Sequence, residues 1–169
     1  MKILIIFMGF LLSGLPVWAD SGSNSFQLTS TVFETNADIP KKYTCDGMDI
    51  NPPLTFKNVP RDTKSLALTV SDPDALKGTW SHWIIYNIPP DTTEIIENTN
   101  PGTEGLNDFG KHTYGGPCPP EGKLHHYIFR LYALNTILSI NERPTLNEIE
   151  KALQGHVIAK TQLVGTYQK

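Results

Sequence analysis

The chain has only two cysteines, Cys45 and Cys118. A structural zinc site usually takes four ligands, so this pair cannot make one by itself. It leaves two readings open, a single disulfide or two free thiols. Basic charge is also scarce. Fourteen Lys and Arg stand against 17 Asp and Glu, for a net charge of −3 with His neutral. No basic patch stands out, which argues against nucleic acid as a partner. There is no His-Glu-x-x-His to hold a catalytic zinc and no Gly-x-Ser-x-Gly elbow for a serine hydrolase. The sequence lacks internal repeats and low-complexity tracts. Beyond residue 12 it also lacks any apolar run long enough to span a bilayer.

What is present suits one domain. The 169 residues are enough for a single core and too few for two comfortable ones. Lys2 precedes an apolar stretch from Ile3 to Leu12, interrupted only by Gly9. Gly14 and Pro16 follow, and Val17-Trp18-Ala19 ends in the small residue that a signal peptidase requires. This predicts a signal peptide over 1–19 and a mature domain over 20–169, periplasmic or secreted, with no integral membrane segment after cleavage. No cysteine sits at the expected cut, which disfavours a lipid anchor. Losing Lys2 from the 14 basic residues leaves 13 against 17 acidic ones, a net of −4. An exported location would permit the two cysteines to be oxidised.

The periodicity is mostly that of strands. Ser65 to Val70 alternates large apolar with small or polar residues. His82 to Ile88 is aromatic and β-branched on both faces and ends at Pro89-Pro90, as a central strand would. Tyr127 to Leu134 reads as a third strand, with Phe26–Phe33 and His156–Tyr167 as the first and last. One helix is predicted. Thr145 and Glu148 have capping-box spacing; Leu146, Ile149, Ala152 and Leu153 form an apolar stripe; Gly155 can end the helix in a left-handed cap. The segment from Asn98 to Glu121 is Gly- and Pro-rich with little apolar periodicity, a length of loop that is usually functional or disordered. Its Gly115-Gly116-Pro117-Cys118-Pro119-Pro120 run favours an ordered, functional loop.

Three clusters could carry chemistry, and each has a bland reading. Asp72-Pro73-Asp74 holds two carboxylates close at a strand end, but alone such a tripeptide is usually a polar turn. His82, between Trp80-Ser81 and Trp83, is alone better read as a core imidazole satisfied by backbone. Gly115-Gly116 would let backbone N–H groups approach an anion. His125 and Tyr127 should point to one side of their strand and His126 to the other.

Together these motifs resemble the phosphatidylethanolamine-binding, or Raf-kinase-inhibitor-like, family in its bacterial form. The resemblance is carried by Asp72-Pro73-Asp74-Ala75, Trp80-Ser81-His82-Trp83, Tyr86-Asn87-Ile88-Pro89, Tyr114 to Pro120 and His125-His126-Tyr127. Tyr43-Thr44-Cys45-Asp46-Gly47, Asn51-Pro52-Pro53-Leu54 and Gly155-His156 extend it over Phe26 to Tyr167. It implies a mainly β fold, a large antiparallel core with Greek-key elements and few peripheral helices. It also implies a pocket for a phosphate-type anion or a phosphoethanolamine head group, formed by Asp72, Asp74, His82, Gly116, Pro117, His125 and Tyr127. Cys45 and Cys118 then fall on loops near one end of the domain, where a disulfide is expected. Two departures flank the pocket: Leu76 stands where the family usually has Pro, and Thr113 where it usually has Gly.

Two carboxylates beside an anion would repel a bare dianion. They make sense if they orient the imidazoles, or if they accept from the ammonium of ethanolamine while imidazoles and loop amides take the phosphate. The resulting expectation is a non-enzymatic binding protein with no cofactor and no metal, with coupling to the regulation of a protein partner as a further expectation. The alternative is an exported inhibitor of a serine protease or host signalling protein, acting through its surface. A metalloenzyme using the two Asp and two His is a third reading, and the lack of a tight ligand motif weighs against it.

Overall fold

A computed structural model describes residues 25–140 and 142–169. The proposed signal segment therefore lies outside the described residues. In chain order the strands are β1 (Gln27–Thr29), β2 (Ala37–Asp38), β3 (Leu54–Lys57), β4 (Ser65–Asp72), β5 (Trp80–Ile88), β6 (Glu94–Ile95), β7 (Thr103–Glu104), β8 (Leu124–Leu134) and β9 (Val157–Gln168). A 3-10 turn spans Lys41–Tyr43, and helix α1 spans Leu146–Leu153. Among the described residues, no helix is long and apolar enough to cross a membrane.

The fold is mainly β. Six strands form one sheet in the order β2-β9-β8-β4-β5-β7, and three form a second in the order β1-β3-β6. All pairings are antiparallel except β2 with β9. Strands β4 and β8, at the centre of the large sheet, carry apolar side chains on both faces, as a doubly covered strand must. One face sends Leu66, Leu68, Val70, Phe129 and Leu131 into a core shared with Leu28, Leu54, Phe56 and Ile95 of the small sheet. The other face sends Ala67, Ile84, Tyr132 and Leu134 against Ile149 and Leu153 of α1.

The helix begins as its sequence requires. The Glu148 carboxylate accepts hydrogen bonds from Thr145 N and Oγ1, each at 2.8 Å. It ends at Gly155, whose φ of +78° is a left-handed conformation suited to glycine. The first strand is shorter than the pattern over Phe26–Phe33 suggests. Ser30 Oγ donates to Pro53 O and accepts from Val32 N, which takes the backbone out of the ladder.

Two irregularities shape β5. Between the pairs Val70–Trp83 and Ser71–Ser81, β4 advances by one residue and β5 by two. The extra residue is His82. A bulge of this kind places consecutive side chains on one face. His82 and Trp83 therefore share the face that carries Tyr127, where strict alternation would have separated them. A second bulge between Leu66 and Leu68 admits Asn87 at φ +54°. Its amide exchanges hydrogen bonds with Leu138 O (3.0 Å) and Leu138 N (2.8 Å), fixing the loop that leads to α1.

Candidate functional site

The end of β4 and the starts of β5 and β8 meet at one end of the large sheet. Ser71 pairs with Ile128, so Asp72 finishes β4 alongside the His125–Tyr127 stretch. Both oxygens of the Asp72 carboxylate are engaged. Its Oδ1 accepts from Asp74 N at 2.8 Å, and its Oδ2 accepts from His125 Nδ1 at 2.7 Å. The pair is buried, with 8% and 6% of the His125 and Asp72 side chains exposed. A buried carboxylate needs such partners, since desolvation is otherwise costly.

His82 is also buried, and its Nδ1 donates to Gly115 O at 2.7 Å. Its ring meets Tyr127 and Phe109 edge to face, at 5.1 and 5.2 Å between centroids. In both imidazoles Nδ1 is therefore the committed donor. Nε2 is left to accept when the ring is neutral, or to donate when it is charged. Both rings line one cavity of about 300 Å³, with Asp72, Ala75, Leu76, Lys77, Trp80, Phe109, Cys118, Pro119 and Pro120. Its rim is apolar and aromatic, with Trp80 and Phe109 packed edge to face at 5.6 Å. Lys77 is the cationic side chain of that rim. Leu76 projects from it with 91% of its surface exposed.

The 98–121 segment is ordered, with the short strand β7 inside it. Its organiser is buried Asn107, whose Nδ2 donates to His82 O and Thr113 O while Oδ1 accepts from Phe109 N and Lys111 N. These bonds present Phe109 to the cavity. Sequence reasoning missed Phe109, Trp80 and Lys77 as lining residues, while Leu76, expected beside the pocket, lines it. Phe109 had one signal, a lone aromatic followed by Gly110 in a Gly-rich loop.

The expected site residues do not all converge. Asp72, His82 and His125 do. Asp74 instead turns to the far face, where its Oδ2 accepts from His126 N (2.8 Å) and Nδ1 (2.7 Å). That pairing holds its carboxyl below the usual range. Gly116 and Pro117 lie behind the cavity. Gly116 N donates to Asp49 Oδ1 at 2.6 Å, and Gly115 N donates to His82 O at 3.0 Å. Both glycine amides are thus occupied within the protein, which explains why the expected anion cradle is not formed by them. A Cβ at Gly116 would lie 2.6 Å from Tyr43 O and 2.9 Å from Thr44 Cα. Glycine is required there by close packing against the 43–49 loop. Tyr127 supports the His82 ring. Its buried hydroxyl faces the Cys118 backbone without making a well-formed hydrogen bond, and burial pushes its ionisation up.

The two cysteines are joined. The Cys45 and Cys118 sulfurs are 2.08 Å apart, tying the Gly-Gly-Pro-Cys wall to the 41–49 segment. Cys45 N also donates to Pro117 O at 3.1 Å, and Tyr114 OH donates to Tyr43 O at 3.0 Å.

Burial pushes the His82 pKa down, and the Gly115 carbonyl and Asp72 charge oppose this only in part. The unfolded state thus binds the proton more tightly than the folded state. Stability from this group is fully present above about pH 6.5 and is lost as pH falls from there to the folded-state pKa. The unfolding free energy should fall with a slope of at most about 1.4 kcal/mol per pH unit in that window. Urea denaturation from pH 7.5 to 5 will show it, and His82→Asn should remove this component of the slope.

Comparison with known proteins places the architecture. The family model described as phosphatidylethanolamine-binding protein matches residues 29–168. A UPF0098 protein of Pyrococcus abyssi is 40% identical over all of this chain and 99% of its own length. A UPF0098 protein of Chlamydia trachomatis is 45% identical over 85% of this chain and 99% of its own. Among solved structures, the phosphatidylethanolamine-binding protein homolog CT736 of Chlamydia trachomatis superposes with a TM-score of 0.83 at 44% identity. The match covers 87% of this chain and 99% of that one. E. coli YbcL, described as a new member of the mammalian PEBP family, superposes with a TM-score of 0.80 at 32% identity, covering 85% and 98%. With the motif match running through nearly every strand and the fold the same, this chain belongs to the phosphatidylethanolamine-binding protein family.

Proposed function

We propose that the cavity binds the phosphate of a small phosphomonoester or of a phosphoethanolamine head group, without catalysing its conversion. The observation that carries this reading is the convergence of two imidazoles whose Nδ1 atoms are already committed. Their Nε2 atoms can each donate one hydrogen bond to a phosphate oxygen when protonated. Asp72 does not repel the ligand as a bare carboxylate would, because His125 and the Asp74 amide both screen it. Lys77 adds a cation at the rim, and Trp80 and Phe109 offer ring faces to an ammonium or to an apolar tail.

Calorimetric titration with inorganic phosphate, phosphoethanolamine and ethanolamine tests this. The two phosphate-bearing ligands should bind and compete with each other, and ethanolamine alone should not bind measurably. Binding of ethanolamine with no binding of phosphate would reverse the assignment of the imidazoles as anion donors.

The inhibitor reading has one observation in its favour, the exposed Leu76 beside the cavity mouth. A protease or signalling-protein partner gripping that collar should be lost with Leu76→Asp while phosphoethanolamine binding persists. We further infer that the protein works in the periplasm or outside the cell. Intact-mass measurement on protein from its native host should find a mature start at Asp20. Retention of Met1 in a membrane fraction would overturn export with cleavage.

A further inference from the structure

The disulfide has an unusual setting. Cys118 is an exposed residue on the cavity wall, and Cys45 is half-buried. Lys169 Nζ stands 3.6 Å from Cys45 Sγ and 3.8 Å from Cys118 Sγ. The ammonium is held there by Asp46 Oδ1 at 3.0 Å, while Asp46 Oδ2 accepts from Tyr167 OH at 2.8 Å. A fixed cation beside a sulfur stabilises the thiolate form, and a better-stabilised thiolate is a faster leaving group. Exposed disulfides are also the ones that exchange most readily.

We propose that Cys45–Cys118 is a thiol-exchange site, open to a small dithiol at the mouth of the cavity, with Lys169 stabilising the departing Cys45 thiolate. In the first step a thiolate of the dithiol attacks Cys118 Sγ. A new S–S bond forms to Cys118, and the Cys118–Cys45 bond breaks with its electron pair going to Cys45. In the second step the other thiolate of the dithiol attacks its partner sulfur, and Cys118 leaves as a thiolate. The dithiol ends as a cyclic disulfide, the protein gains two electrons, and the two protons of the dithiol end on the two cysteines. The consequence concerns the cavity. Reduction removes the covalent tie between the 115–120 wall and the 41–49 segment and leaves only hydrogen bonds between them, so the site slackens with the redox state of its surroundings. That consequence rests on the ligand-binding reading above; the exchange chemistry does not.

The test uses the oxidised full-length mature protein under native conditions. Dithiothreitol should reduce it without denaturant, with two thiols released per chain. A reaction with monothiol 2-mercaptoethanol, quenched early with iodoacetamide, should show the adduct on Cys118 and the alkyl group on Cys45. Lys169→Gln should slow the exchange by at least about threefold, with the difference shrinking in 1 M salt. If Lys169→Gln merely destabilised the fold, exchange would speed up. Reduction that requires denaturant, adducts found on Cys45, or an unchanged rate in Lys169→Gln would each overturn the proposal. A separate arm titrates phosphoethanolamine into oxidised and into reduced, alkylated protein. Several-fold weaker binding after reduction is expected. Equal binding in both forms overturns the coupling to the cavity, and no binding in the oxidised form overturns the ligand reading alone.

Discussion

Replacing His82 by alanine should weaken phosphoethanolamine and inorganic phosphate binding by about tenfold to a hundredfold, roughly 1.5–3 kcal/mol for one hydrogen bond to a charged group. The wild-type affinity should fall as pH rises. In the free protein burial keeps the His82 proton weakly held, and a bound phosphate holds it more tightly through its own charge. The proton is therefore taken up on binding between the free-state and bound-state pKa values. Affinity is highest below the first, which lies under the ordinary value of about 6.5, and declines toward the second. The second ionisation of the phosphate, near pH ~6, opposes part of this decline. His82→Ala should flatten the profile as well as lower it. Asp72→Asn should weaken both ligands by a similar factor, because both Asp72 oxygens already serve Asp74 N and His125. A selective loss of phosphoethanolamine would instead mean that Asp72 meets the ammonium. His126→Ala should stay within about twofold of wild type, since its ring pairs with Asp74 on the opposite face. An equal loss in His126→Ala and His82→Ala, measured by calorimetry at two pH values, would show that the wrong face has been assigned.

The second large effect is on stability. Cys45 and Cys118 are 73 residues apart in sequence. Closing a loop of that length removes chain entropy from the unfolded state worth about 4 kcal/mol in the loop-closure account. The double variant Cys45→Ser, Cys118→Ser should therefore lose about 4 kcal/mol in urea denaturation relative to the oxidised protein. Its ligand affinity should fall much less than its stability, because Gly116 N to Asp49, Cys45 N to Pro117 O and Tyr114 OH to Tyr43 O still hold the loop. A loss under about 1 kcal/mol would mean that the unfolded chain is already constrained there by residual structure.

The strand and helix pattern is legible in the sequence. Alternation over Ser65–Val70 and the run to Leu134 report strands, and Thr145 with Glu148 reports a helix start, because these signals depend on residues close in sequence. That β4 is buried on both faces at the centre of the sheet, rather than half-buried, is decided by the packing. The family motifs likewise marked Asp72, His82 and His125 as belonging together. Which atoms face the cavity was a different matter. Strand alternation predicts that His82 and Trp83 diverge, yet the bulge opposite Val70 and Ser71 brings them to one face. That shift is set by how β4 and β5 register over a shared core, which no local pattern encodes. The family resemblance implies Asp74 as a pocket residue, but the chain turns after β4 and delivers it to His126. The Gly-rich run suggested an amide cradle, yet the 43–49 loop, about seventy residues earlier in the chain, claims the Gly116 amide first. Residue types and their spacing thus determined the strands and the helix, and the family motifs pointed to Asp72, His82 and His125. Only the packing of distant segments decided which hydrogen-bonding groups remained unspent, because a donor is free for a ligand only when no other part of the fold has reached it.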